Sequence, residues 1–186
     1  LTGEVFIDPA DLSKSTGLIK ADLLKLELFQ QKRDDEKADY GERTKSDKQN
    51  EHARTWLEIS PDAPEEARKA NAMSEFKLTK LESDHKDVTK LTGDSRKVTG
   101  TLTGELRVHG RKVERSAKFE ATFAYQGDKL TKVTVKTTEP LKVSLEEHDI
   151  KPRDAFGSLA QKTLGDLAGK VSNHAPVQIE LVLTPK

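Results

Sequence analysis

From Val98 to Gly127 the chain alternates. Val98, Gly100, Leu102, Gly104, Leu106 and Val108 share one parity; Thr99, Thr101, Thr103, Glu105, Arg107 and His109 take the other. A period of two marks a strand with one buried face. After His109-Gly110-Arg111 the pattern resumes, with Val113, Ala117, Phe119, Ala121, Phe123 and Tyr125 set against Glu114, Ser116, Lys118, Glu120, Thr122 and Ala124. Two long alternating runs joined by a short glycine-containing turn predict a β-hairpin. Runs of this length belong to a large sheet that is strongly curved or closed.

Shorter segments repeat the pattern. Residues 4–8 predict a strand ended by Asp8-Pro9. Residues 18–28 predict another: Leu24, Leu26 and Leu28 alternate with Lys25 and Glu27, which decides against a leucine-rich helix. Residues 75–79 form a strand, and Leu81 indicates a phase slip near Lys80. Residues 88–91 have short strand character. Residues 130–145 alternate through Val133, Val135, Leu141, Val143 and Leu145, and Pro140 inside that run marks an edge or a bulge. Residues 177–183 read as one closing strand.

Helical signals are fewer. Ser46-x-x-Gln49 is a capping box opening a helix that runs to Leu57, with Trp56 and Leu57 docking it on the sheet. Residues 65–72 make one or two surface turns, acidic at the start as the helix dipole favours. Residues 155–171 place Phe156, Leu159, Leu164, Leu167 and Val171 at helical spacing, weakened by three glycines. The sum is one all-β domain over residues 1–186, of seven or eight mostly antiparallel strands with helical inserts in its loops. A barrel or a sandwich satisfies that sum.

Composition narrows the function classes. Thirty-two basic and 32 acidic residues cancel, which leaves no electrostatic footprint for nucleic acid or an anionic membrane. Charged residues (34%) match apolar ones (33%), so the core must be concentrated in few segments. Fourteen of the 25 residues from Gln30 to Arg54 are charged, the composition of a solvated loop. The absence of cysteine excludes disulfides, thiol catalysis and thiolate metal sites. No apolar run approaches the ~20 residues of a membrane-spanning helix. The chain starts at Leu1 in mid-pattern, from which an upstream strand or signal peptide is expected.

Candidate chemistry is sparse. His52, His85, His109, His148 and His174 show no metal-ligand spacing, so neither metal nor cofactor is expected. His52 beside Glu51 and His148 beside Asp149 read as ordinary polar neighbours, and His109 as a turn residue. Nucleophile elbows, phosphate loops and paired carboxylates in apolar context are missing; the expected class is non-enzyme. Asp34-Asp35-Glu36 is a solvated charge run. Asp22 is either a barrel-mouth anchor paired with an arginine or a solvated side chain.

The order of segments resembles the YceI-like family of lipocalin-like barrels. The resemblance rests on Gly3-Glu4-Val5-Phe6-Ile7-Asp8 through Leu12, Ser13, Gly17, Ile19 and Asp22-Leu23; on Glu51 to Glu58 with Pro61-Asp62-Ala63; on Gly100-x-Leu102-Thr103 and Leu106-x-Val108-His109-Gly110; and on Val143 to Pro152, Phe156-Gly157 and the closing strand. Three features depart from the family. Its usual first strand is absent ahead of Leu1, Gln49-Asn50 stands where an Arg-Asp pair is usual, and the insert over residues 156–171 is long.

The resemblance implies an antiparallel lipocalin-like barrel of about eight strands, exported to the periplasm or beyond, binding an amphipathic lipid in its lumen without chemistry. The expected lipid is a polyisoprenoid or isoprenoid quinone. The lumen wall would comprise Leu24, Leu26, Leu102, Leu106, Val108, Phe119, Phe123, Tyr125, Val133 and Val135, with Trp56 and Phe156 at the mouth. Gly100, Gly104, Ala117 and Ala121 on the same face leave volume for such a ligand. The expected partner is the lipid, with no nucleic acid and no integral membrane segment; a homodimer is compatible with it. The competing reading is an interaction or scaffold module whose core is filled by its own side chains.

Overall fold

The computed structural model describes residues 1–31, 35, 37, 39–151 and 173–185. Its strands, in chain order, are β1 (Thr2–Phe6), β2 (Thr16–Asp22), β3 (Phe29–Gln30), β4 (Thr44–Lys45), β5 (Met73–Ser83), β6 (Ser95–Val108), β7 (Arg111–Gln126), β8 (Lys129–Thr137), β9 (Leu141–Ser144), β10 (His174–Val177) and β11 (Glu180–Leu183). Seven of them form one curled antiparallel sheet, ordered β1-β2-β5-β6-β7-β8-β11. The fold is all-β and barrel-like.

The predicted hairpin is the centre of that sheet. β6 and β7 pair over their whole length, from Ser95 opposite Ala124 to Val108 opposite Arg111. The two residues between them, His109 and Gly110, have φ of 50° and 70°. A tight turn whose two central residues both have positive φ matches the twist of the flanking strands. Gly110 adopts this conformation freely, whereas His109 must be held in it by its contacts.

The phase slip near Lys80 is a register shift between Leu78 and Lys80, so Phe76, Leu78 and Leu81 all face inward. Pro140 marks more than a bulge. The predicted strand 130–145 is broken there into β8 and β9, and the predicted closing strand 177–183 is broken at the same level into β10 and β11. β8 pairs with β11, and β9 pairs with β10 in a separate ribbon. Thr137 and Ile179 hold the corner: the Thr137 amide donates to the Ile179 carbonyl, and the Ile179 amide donates to Thr137 Oγ1, both at 3.0 Å.

Two expected strands are altered, one shortened and one replaced by a turn. The run 18–28 stops at Asp22, whose carboxylate accepts from the Leu24 amide at 3.0 Å and caps a 3-10 turn at Leu23–Lys25. Residues 88–91 are likewise a 3-10 turn, Val88–Lys90, capped by Asp87, and Asp11 caps a third at Leu12–Lys14. A short carboxylate bonding its own backbone two residues on competes directly with sheet pairing. Asp22 is thus a cap, and no arginine pairs with it among the described residues.

α1 (Asp47–Trp56) starts as predicted, with the Ser46 hydroxyl accepting from the Gln49 amide at 3.3 Å. α2 (Glu65–Asn71) follows. The predicted helix over 155–171, with Phe156, lies outside the described residues.

Two apolar clusters fill the sheet's concave side. One joins Leu12, Val88, Val98, Phe119, Ala121, Phe123 and Val133; the other joins Leu106, Ala117, Leu141 and Val143. Burying a side chain such as Phe119 or Phe123 contributes about 1.5–3 kcal/mol, and the long parity of β7 delivers both to the same face.

Candidate functional site

Within the first cluster lies a cavity of about 80 Å³, lined by six of that cluster's seven buried residues. All seven strands of the main sheet contribute to its wall. The lining comes from Val5 and Ile7, Gly17 and Ile19, Phe76, Leu78 and Leu81, Val98 and Leu102, Phe119, Ala121 and Phe123, Val133 and Val135, and Leu181 and Leu183, with Leu12 and Ser15 from the first 3-10 turn region. Ser15 is the one hydroxyl among them, and its Oγ accepts from the Asp8 amide at 3.3 Å. The cavity therefore carries no charge on its wall.

Buried apolar residues pack on either side of it. At one end Leu12 and Val88 are almost wholly buried, and the turns bearing them are cross-tied: the Leu12 amide donates to the Lys86 carbonyl at 2.9 Å, and the Val88 amide to the Pro9 carbonyl at 2.8 Å. Arg96 adds a strap there. Its guanidinium donates to the Gly93 and Val88 carbonyls and lies 3.8 Å over the Tyr125 ring. At the other end Leu141 and Val143 of β9 cover Leu106 and Ala117.

The side is different. Six successive antiparallel pairings leave β1 and β11 as the two edges of the sheet, running in the same direction. Val5 and Leu181 belong to these edges and line the same cavity, so the sheet has curled far enough to bring its edges to one space without a ladder joining them. Both unpaired edges therefore contribute to the cavity wall.

Of the expected wall residues, Leu102, Phe119, Phe123, Val133 and Val135 line this cavity. Leu24 and Leu26 do not, because the cap at Asp22 turns the chain out of the sheet and leaves Leu24 49% exposed. Leu106 and Val108 share the inward parity but lie beneath β9, in the second cluster. Tyr125 follows a register shift after Ala124, and its ring stacks under Arg96. Trp56 is half-buried at the end of α1, stacked 6.5 Å from His52, and takes no part in the cavity; Leu57 and Ile59 are the buried residues beside it. Phe156 lies outside the described residues. The edge and near-edge wall residues Val5, Ile7, Ile19, Leu181 and Leu183 were absent from the expected wall, although their period of two is the same signal as in the hairpin.

The alternation also hid a polar cluster at the turn end. Arg115 has the inward parity of β7, directly opposite Gly104, and pairs with Glu147. His148 is fully buried rather than an ordinary polar neighbour. Its Nδ1 donates to the Val108 carbonyl at 3.2 Å, while among the described residues no hydrogen-bond partner meets its Nε2. Burial pushes its pKa down, against the pull of the nearby backbone carbonyls. His109 is buried beside it, with Nδ1 3.0 Å from the His148 carbonyl and Nε2 3.0 Å from Glu58 Oε2.

Among the described residues, no group of three or more His, Asp or Glu is placed to hold a metal, and no helix is long and apolar enough to cross a membrane. No family model, no curated protein and no solved structure matches this chain.

Proposed function

We propose that the protein binds the chain of an amphipathic lipid, a polyisoprenoid or isoprenoid quinone, through the seam between β1 and β11, without catalysing a reaction on it. One observation carries this reading: an uncharged apolar cavity has both unpaired sheet edges in its wall. A slim apolar chain gains about 25 cal/mol for each Å² it removes from water there, and its polar head stays at the seam. The resemblance of the segment order to the YceI-like family supports the same ligand class, and export to the periplasm goes with it. Homodimerisation is neither required nor opposed by this binding mode.

The cavity's volume favours a second reading. Pockets for drug-sized ligands span about 300–1,000 Å³, well above the roughly 80 Å³ enclosed here, so a packed interaction module is the competing function. Organic extraction of gently purified protein followed by mass spectrometry separates the two. Lipid binding predicts a recovered isoprenoid lipid. Clean extracts, together with no binding of added isoprenoid quinone, would overturn it.

A further inference from the structure

We propose that the cavity seats one hydrocarbon end group of about three or four carbon atoms, the branched terminus of the bound isoprenoid, and not a length of its chain. The ligand class rests on the lipid reading; the size of the seated group rests on the cavity alone.

The volume sets the size. A dry cavity of about 150 Å³ lined by leucine, isoleucine and phenylalanine takes up the six carbons of one benzene ring. The cavity here is about 80 Å³, so in proportion it holds about three or four carbons. The (CH3)2C=CH– end of an isoprenoid matches that count, and two successive isoprene units exceed it.

The wall sets the chemistry. No polar atom is exposed to the cavity: Ser15 lines it, but its hydroxyl oxygen accepts from the Asp8 amide. An apolar void of this kind stays free of water, and its lining atoms lack contacts on one side. A hydrocarbon group restores those contacts without losing a hydrogen bond, whereas a hydroxyl, a carboxylate or a headgroup carbonyl finds no partner there. The polar end of the ligand is therefore excluded, and the end group farthest from it enters.

Ala121 makes the room. In register it stands between Val98 of β6 and Val135 of β8, and all three line the cavity. Both neighbours are larger and β-branched, so the wall recedes at Ala121. Gly17 makes no such recess: a Cβ there would lie 3.1 Å from Val5 Cγ2, so the Val5 side chain already covers it. Ala121→Leu adds at the recess about as many carbons as the guest brings, and so fills the site with atoms of the chain itself.

Methyl NMR on the full chain tests this, with isobutene as the probe and prenol, geraniol and farnesol as a series of lengthening isoprenoid alcohols. Isobutene should bind saturably and shift the methyls of Ala121, Val98, Val133 and Val135. Each alcohol should shift the same set, with no spread to Leu106, Ala117 or Val143 as the chain lengthens. In Ala121→Leu the isobutene affinity should fall about tenfold or more, since each excluded carbon weakens apolar binding several-fold. Absence of isobutene binding, or shifts that spread into the second cluster with chain length, would overturn the proposal, and the wild-type maps decide it even where the variant fails to fold. Isobutene bound at these methyls, with no response to any of the alcohols and with clean lipid extracts, would overturn the isoprenoid assignment together with the lipid reading. Isobutene failing to bind while lipid is extracted overturns the end-group site alone.

Discussion

The ring of Phe76 occupies the space that a side chain on Gly104 would need. A Cβ built at Gly104 would fall 2.8 Å from Phe76 Cε1 and 2.5 Å from the Lys77 carbonyl oxygen. Gly104 lies opposite Leu78, two residues from Phe76 on the same face of β5. The aromatic ring covers the glycine diagonally across the strand pair, a device that fills a glycine gap and fixes register together. Phe76 also lines the cavity and packs against the second cluster.

Gly104→Ala tests this relationship. The methyl must displace backbone as well as the ring, and overpacking of this kind costs about 1–3 kcal/mol. A lower urea midpoint is expected. Phe76→Leu in the same background should recover part of the loss, because it removes the atoms in conflict. Additive effects of the two substitutions would show that ring and glycine do not interact.

Ala121 asks whether the cavity is open space. It stands in register between Val98 and Val135, is 2% exposed, and lines the wall. Ala121→Leu should fold with a loss under about 1 kcal/mol if the added carbons enter free volume, against about 1–3 kcal/mol in a filled core. In the open case the same variant should carry less extractable lipid. Phe119→Ala, which only removes wall, should cost about 3–5 kcal/mol in either case.

Asn50 is the buried amide that attaches α1 to the sheet side of the charged loop. Its Oδ1 accepts from the Leu28 amide at 2.8 Å, and its Nδ2 donates to the Leu28 and Ser46 carbonyls at 3.2 and 2.8 Å. Asn50→Ala strands the Leu28 amide, at about 1–3 kcal/mol for a buried unsatisfied partner, while the Leu28 and Ser46 carbonyls keep the Ser46 and Asn50 amides as donors. Thermal melts should show the drop. Amide exchange should show it concentrated in α1 and at residues 28–30 rather than in β6 and β7.

The central hairpin was legible from parity alone because one of its faces is buried along its length, and that condition makes alternation informative. Parity says which side is inward; it does not say what covers it. Leu102 and Leu106 are indistinguishable in sequence, yet one meets the cavity and the other lies under β9. That difference depends on the corner at Pro140 and Ile179, a tertiary feature. The error at Leu24 had a readable cause. Asp11-Leu12-Ser13-Lys14, Asp22-Leu23-Leu24-Lys25 and Asp87-Val88-Thr89-Lys90 share one pattern, and each is a capped 3-10 turn. Two of the three send their second residue into the core. The buried His109 and His148 had no such signal, since only the folded chain brings residues 58, 109 and 148 together.

Glu75 provides a pH test on the outer face of the sheet. It stands in register between Lys20 of β2 and Arg107 of β6, 3.2 Å from Lys20 Nζ and 3.2 Å from Arg107 Nε. The hydrogen bond from Arg107 holds its carboxyl below the ordinary value of 4.5, with Lys20 adding to the effect and partial burial opposing it. A carboxylate whose pKa is lower folded than unfolded stabilises the fold fully above its unfolded value. That contribution fades as pH falls through the folded one. Glu75→Gln should therefore lower stability at pH 7, by no more than about 1 kcal/mol for so exposed a pair. The gap to wild type should close by about pH 3, near the lower reach of carboxylate titration. Urea titrations of both proteins at the two pH values check this. Added salt should shrink the neutral-pH gap, as screening requires. A gap that stays constant with pH would mean that Glu75 acts through packing rather than through its charge.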